Sequence, residues 1–453
     1  MEQERGRHQR TDSPNEGLKR ELGLATAIST VVGCVIGSGI FFKPQAIYSV
    51  TGGAPGLGML AWVITGLVSI AAALTFAEIA ILFPETGGIP TYLSRVYGPK
   101  AGFLAGWVQV VLFYPAMVSA LAVACAQQAA LFIGDDLVIP CAAAVICLIV
   151  FLNMMGSKVG GGVQVIFTIC KMIPLILLMV FGFLWGKGHY PAFSPMLGEG
   201  VNPVSAVGQL MVAVLFAFEG WTAVGAISGE MKHTERDLPR AIIGGVSIIT
   251  AVYFVMNLAY LQVLPAEELA KLPAPASAVA IALFGEAGGR LVSAGIIVSV
   301  FGACNGFVFS GSRVAYFMAS QGLFPGSRSL SKLNKNHVPG NCLLLVGGLG
   351  ILLSMTGQFN LLTDLAVFSI WTFYTLTFMA VIRYRKIRPD LPRSYRVPGY
   401  PLMPAIAIGS GVFVIINQLC LAGLKATVMS LGSIAVMAAG LIVYEGMRRR
   451  ARK

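Results

Sequence analysis

Residues Gly37-Ser38-Gly39 interrupt a run that is otherwise apolar from 24 to 49. Gly33 and Gly37 have the small-xxx-small spacing that lets membrane helices pack closely. Two glycines flanking a serine near the middle of such a run do more, because they favour opening of the helix. An opened stretch frees backbone donors and acceptors that lipid cannot satisfy, so they must line a cavity within the protein. Ahead of the break, the carbonyls of Val35 and Ile36 lie at a helix C-terminus and suit an ammonium. Beyond it, the amides of Ser38, Gly39 and Ile40 lie at a helix N-terminus and suit a carboxylate. A ligand carrying both charges fits that pair of ends.

A second interruption is expected at Phe216-Ala217-Phe218-Glu219-Gly220-Trp221, where an acid adjoins a glycine. An ionised carboxylate within a membrane helix costs about 2.5–3.5 kcal/mol on insertion scales, so Glu219 needs a partner or water. Two roles stay open for it: a helix-terminus carboxylate paired within the protein, or an element that selects substrates by charge. Lys171, in Phe167-Thr168-Ile169-Cys170-Lys171-Met172-Ile173-Pro174, lies too far inside its run to snorkel to an interface and is expected to serve the interior.

These residues must be carried by membrane-spanning elements. Of 453 residues, 56% are hydrophobic and 11% charged, and the mean hydropathy is +0.78. A chain of this kind uses lipid as solvent. Twelve runs approach the roughly 20 apolar residues a spanning helix needs: 24–49, 56–82, 101–132, 138–154, 162–186, 204–229, 240–263, 289–319, 339–356, 360–382, 402–423 and 426–446. They are continuous, not alternating, so the expected class is an all-α polytopic membrane protein and not a β-barrel. The polar first residues lead straight into the first run and show no cleavable signal peptide.

Runs one and six hold corresponding places in two five-span halves, the pattern of an inverted repeat with a midplane site between two discontinuous helices. The expected division is a tail at 1–23, a first half at 24–186, a second half at 204–382, two added spans at 402–446 and a tail at 447–453. The segment 264–288 is long enough to act as an outer lid.

The formal net charge of +12 is distributed by side. With the N-terminus inside, the inner set holds Arg5, Arg7, Arg10, Lys19, Arg20, Arg95, Lys100, Lys158, Lys232, Arg236, Arg240, the group from Arg313 to Lys335, Arg383 to Arg396 and the cluster from Arg448. The outer set holds only Lys187, Lys271, Arg290 and Lys425. This asymmetry places both termini in the cytoplasm and accounts for the charge without a nucleic acid. The eight cysteines, Cys34 among them, lie in or at the edges of the runs without metal-ligand spacing and read as packing residues. No cofactor is called for, and His8, His189, His233 and His337 fall in tails or loops.

Glu78, Lys171 and Glu219 form the expected inventory of intramembrane charges, with Glu78 a structural acid and Asp364 an interfacial one. Tyr114, Trp371, Phe373 and Tyr374 are pocket or gate candidates, although aromatics in such helices are more often packing groups.

Several motifs carry a family resemblance: Gly33-Cys34-Val35-Ile36-Gly37-Ser38-Gly39-Ile40-Phe41-Phe42, Phe216 to Trp221, Pro84-Glu85-Thr86-Gly87-Gly88, Glu230 with Pro239-Arg240-Ala241-Ile242, and Asn305-Gly306 with Ser310-Gly311-Ser312-Arg313. They resemble the amino acid–polyamine–organocation superfamily, in particular its L-type amino acid transporters of the bacterial serine/threonine and alanine/serine/cysteine exchanger kind. The resemblance implies the fold typified by the bacterial leucine transporter, and sodium-independent exchange of neutral L-amino acids. It maps the substrate's carboxylate and amine onto Val35, Ile36, Ser38, Gly39 and Ile40, further amine-holding carbonyls onto Phe216, Ala217 and Glu219, and a closing ring onto Phe216. Lys171 takes the place of a sodium ion used by sodium-coupled relatives, with Ser310 as its eighth-helix contact and Asn305 as a weaker candidate. An acid at the Glu219 position occurs in some relatives that accept dibasic amino acids. The loop Gly134-Asp135-Asp136-Leu137 lacks the cysteine through which some relatives bind a heavy chain, so no such partner is expected.

The competing classes fare worse. An intramembrane enzyme needs a convergent nucleophile, base or metal set, which Glu78, Lys171 and Glu219 do not form. A channel generally uses rings of like groups around a pore, whereas two unlike breaks suit one zwitterion. A substrate-sensing receptor would want a signalling domain, and the loops are short. The remaining expectation is a plasma-membrane carrier, of bacterial inner-membrane type, for L-amino acids, with proton-coupled uptake or acceptance of cationic substrates as its alternatives.

Overall fold

A computed structural model describes residues 20–84, 87–188, 191–421 and 424–451. Most of the tail 1–23, Glu85 and Thr86 of the Pro84 motif, His189 and Lys453 lie outside the described residues. Among the described residues the chain is helical without a strand, its one β-type pairing being an isolated parallel bridge between Leu22 and Met231.

Among the described residues, nine helices are long and apolar enough to cross a membrane: Leu24–Val50, Pro55–Leu82, Pro99–Ala130, Ser157–Trp185, Thr234–Val263, Pro275–Ser320, Leu361–Ile387, Leu402–Cys420 and Thr427–Arg449. Three shorter apolar helices, Val138–Met154, Pro203–Ala217 and Gly340–Ser354, occupy the remaining runs. At 1.5 Å per residue a 15-residue helix is about 22 Å long, short of the hydrocarbon core unless its flanks help.

Both expected interruptions are present. Helix Leu24–Val35 ends at Ile36, whose ψ of 86° leaves the helical region, and the chain resumes as helix Gly39–Val50. Helix Pro203–Ala217 is started by Asn202, whose side chain accepts from the Val204 and Ser205 amides at 3.0 and 3.2 Å, satisfying donors that a helix start leaves open. It stops at Phe218, and the next helical turn is Ala223–Ala226. Gly220, at φ 118°, takes a backbone conformation closed to side-chain-bearing residues and turns the chain between the two pieces.

The segment 264–288 departs from a simple loop. It contains the helical turn Ala266–Leu269 and the start of helix Pro275–Ser320, which is divided at Gly285 by φ 71° and ψ −176°. The third run also carries a π-helical turn, Gln109–Phe113. Neither feature follows from apolar periodicity.

Ion pairs tie the bundle together away from the breaks, one part-buried and one fully buried. Glu78 accepts from Arg385 Nε and from the Val397 amide, both at 2.8 Å. Arg313 donates from Nε to Glu230 at 2.8 Å and from Nη2 to Ser157 at 2.8 Å, and both charged side chains are fully buried. The inventory of intramembrane charges is therefore larger than expected. Arg313 belongs to the packed interior and not to a loop, and Lys43 joins it at 5% exposure. A long apolar run hides such residues from sequence inspection because their partners come from other helices.

Candidate functional site

The two breaks touch. A Cβ built on Gly39 would stand 2.6 Å from Ala217 Cα, and one on Gly220 would stand 2.8 Å from Cys34 Cβ. Only glycine permits backbone approaches this close. Gly37 would likewise meet Ala303, and Gly33 would meet Gln164. The glycines of the first motif thus serve packing and interruption together.

Val35, Ile36, Ser38, Gly39 and Ile40 are all buried at the first break, and Phe216, Ala217 and Glu219 at the second. The carbonyls ahead of the first break are already engaged. Lys171 Nζ donates to Gly33 O at 2.7 Å and to Ile36 O at 2.6 Å. Tyr253 Oη lies 2.9 Å from Val35 O and 2.9 Å from Ala217 O, so one hydroxyl is shared between the two broken helices. The Val35 carbonyl also accepts from the Gly37 amide at 2.8 Å and is filled. A carbonyl oxygen has two lone pairs, which leaves those of Gly33, Ile36 and Ala217 able to accept once more. Beyond the break, the amides of Ser38, Gly39 and Ile40 donate to no protein acceptor among the described residues, as expected for the first turn of a helix. The Ser38 hydroxyl is also buried without a partner. Free donors thus lie beyond the first break and engaged carbonyl acceptors ahead of it.

The contacts of Lys171 differ from those the resemblance implies. Among the described residues its hydrogen bonds run to the first helix. Asn305 is occupied by Asn153 at 2.7 Å and by Gln164 at 2.8 Å, and the Ser310 hydroxyl is buried with no partner among the described residues. The physical reason is local: the open carbonyls at the end of Leu24–Val35 are better acceptors for an ammonium than hydroxyls or amides already in use. Gln164 Nε2 and Thr168 Oγ1 each donate to Ser29 O at 3.2 Å, so the helix bearing Lys171 follows the first helix for several turns.

Glu219 accepts at Oε1 from the Gly220 amide at 3.0 Å and from Tyr374 Oη, which also lies 2.8 Å from Thr222 Oγ1. Both donors are neutral, and no ion pair to Glu219 occurs among the described residues. Tyr374 thereby belongs to the second break, with the Trp371 ring 5.6 Å away. Tyr114 packs against Phe113 and Phe307, and Phe373 is buried. Asp364, expected at an interface, is partly buried and acts electrostatically on Lys43.

Tyr253 and Lys43 join the site without being among the residues expected from the sequence. Lys43 could have been found by the rule applied to Lys171, since it too is a charge inside an apolar run. Tyr253 gives no such signal, because a tyrosine among apolar residues is ordinarily a packing group.

A family model described as amino acid permease matches residues 22–443. The chain is 38% identical over 444 residues to the serine/threonine exchanger SteT of Bacillus subtilis, covering 96% of this chain and 98% of that one. It is 29% identical over 411 residues to the human b(0,+)-type amino acid transporter 1, with coverage of 88% and 82%. Similarity to the large neutral amino acids transporter small subunit 2 of Oryctolagus cuniculus is 29% over 437 residues, with coverage of 94% and 80%.

Proposed function

The chain belongs to the amino acid permease family, and from that premise we propose that it is a sodium-independent exchanger of small neutral L-amino acids working by alternating access. That it is a multi-pass membrane transporter of amino acids, and not an enzyme, follows from the family itself. The finer reading is twelve spans in a five-plus-five inverted repeat of the leucine-transporter type, at 24–186 and 204–382. Spans 402–446 lie outside the repeat, and both termini are cytoplasmic.

The substrate carboxylate takes the free amides of Ser38, Gly39 and Ile40, with the Ser38 hydroxyl beside them. The ammonium takes the second lone pairs of Ile36 and Ala217, together with the carbonyls of Phe216 and Glu219, and lies beside the Val35 carbonyl, which already accepts from the Gly37 amide and Tyr253. Phe216 closes over the side chain. One observation carries the sodium-independence: Lys171 Nζ bridges the Gly33 and Ile36 carbonyls, so a fixed cation already stabilises the end of the broken helix. No heavy chain is needed in this reading.

A second reading has a specific basis. Glu219 is a buried carboxylate held only by neutral donors, a setting that suits a proton or a cationic substrate side chain. Uptake of a radiolabelled amino acid panel into proteoliposomes, with empty and amino acid-loaded lumens, separates these readings. Saturable uptake of serine, alanine or threonine that needs a loaded lumen supports exchange. Uptake into empty liposomes driven by a pH gradient favours the second reading, and no uptake under any condition removes both.

A further inference from the structure

We propose that Lys43 is the positioning residue of the outer gate, holding the Phe216 ring closed by tying the first, sixth and tenth spans together; this rests on the carrier reading above. Lys43 lies one turn beyond Gly39 in helix Gly39–Val50 and is buried. Its Nζ stands 4.7 Å from the centroid of Phe216 and 5.5 Å from that of Phe359. The two rings meet at 87° with centroids 5.7 Å apart, so the ammonium occupies the corner they form. Phe42 extends the cluster, with its ring 6.0 Å from Phe359. Asp364, on the same helix as Phe359, is the carboxylate whose field reaches Lys43. Two ring faces and a nearby carboxylate are what an ammonium withdrawn from water requires.

The position of this cluster gives it a role. Phe216 is the penultimate residue of helix Pro203–Ala217, directly ahead of the second break. Phe359 opens the helix that also carries Tyr374, the partner of Glu219. Lys43 follows the first break. Opening toward the outside must part these three segments, and the Lys43 ammonium sits where they meet, beside the Phe216–Phe359 contact. Parting them removes the cation from both rings. The closed form therefore holds an attraction that the open form lacks, amounting to about a tenfold bias or more for a desolvated cation–ring contact. Methionine in its place keeps most of the apolar stem and loses the charge.

The test uses the full-length chain in liposomes, carrying Lys43→Met, Lys43→Gln or Lys43→Arg. Spin labels at Val50→Cys and Thr356→Cys, in a background with the native cysteines replaced, report the distance across the gate. The KM for a neutral amino acid is measured from each side. Lys43→Met and Lys43→Gln are expected to shift the distances to longer values and to raise the ratio of inner to outer KM by about tenfold. Lys43→Arg should stay close to wild type, because a guanidinium also binds ring faces. A residue that merely supported packing would lower the maximal rate and leave that ratio alone. The latch is overturned if Lys43→Met leaves distances and KM ratio unchanged while wild type exchanges, or if Lys43→Arg shifts as far as Lys43→Met. Absence of exchange by wild type overturns the carrier reading and the gate with it.

Discussion

Tyr253 Oη lies 2.9 Å from the Val35 carbonyl and 2.9 Å from the Ala217 carbonyl, so a single hydroxyl spans the ends of both broken helices. A phenol has one proton to give, and the two acceptors share it. The arrangement fixes the separation of the two helix ends while leaving the Ala217 carbonyl a free lone pair; the Val35 carbonyl is filled by the Gly37 amide at 2.8 Å. Tyr253 is fully buried and packs edge-on against Trp62, with centroids 5.4 Å apart.

Tyr253→Phe keeps that packing and removes the shared hydrogen bond. A neutral hydrogen bond contributes about 0.5–1.5 kcal/mol net, so thermal stability should fall only slightly. Initial exchange rates are expected to drop several-fold because the helix ends lose their spacer. An unchanged rate would show that the hydroxyl does not set the site's geometry.

Lys171→Met leaves the Gly33 and Ile36 carbonyls without their cation. Hydrogen bonds to charged groups are worth about 1.5–3 kcal/mol each. Exchange should therefore fall by at least about tenfold, measured as initial rates at saturating substrate. Lys171→Arg should not restore it, since the larger planar group cannot place one nitrogen between both carbonyls. Full rescue by arginine would contradict the point-charge role.

Glu219→Gln keeps the acceptor toward Tyr374 and Gly220 and removes the negative charge. Were the charge to recruit cationic side chains, arginine or lysine exchange would fall relative to serine exchange. Equal ratios in wild type and variant would reduce Glu219 to a structural carboxylate.

Breaking the buried pair from one side is expected to be costly. Arg313→Met strands the Glu230 carboxylate, which already has one oxygen without a partner, at roughly 3–5 kcal/mol. The melting temperature of the detergent-solubilised protein should drop sharply. Arg313→Met combined with Glu230→Gln should recover part of the loss, whereas a double variant no better than the single one would argue against a direct pairing.

The sequence made the first-order features legible because they rest on local chemistry. Long apolar runs foretold where helices form, and each of the twelve runs contains one. Clustered glycines mark the opening at Ile36 to Ser38, and an acid beside a single glycine, Glu219-Gly220, marks that at Phe218 to Thr222, since a missing Cβ gives both conformational freedom and close approach. Tertiary partnerships were less legible. The acceptors of Tyr253 stand 218 and 36 positions away along the chain, and nothing near residue 253 announces them. Lys171 was rightly marked as an interior charge, yet its bonds go to backbone carbonyls of the first helix and not to Ser310 or Asn305. A side-chain partner can be guessed from residue type, while an open carbonyl becomes visible only once the helix end has been placed. Lys43 stands beside the more conspicuous Gly37-Ser38-Gly39, and the burial of Arg313 comes from Glu230 and Ser157, which are remote in the sequence and leave no trace near residue 313.

The central claim is that a fixed lysine cation stands where a coupling ion would, so that one amino acid leaves as another enters. Its most direct test follows radiolabelled serine entering proteoliposomes loaded with unlabelled serine, in sodium or in choline buffer without a pH gradient. Equal, strongly lumen-dependent uptake in the two buffers is the predicted result. Uptake that requires external sodium, or that proceeds equally well into empty liposomes, would contradict it.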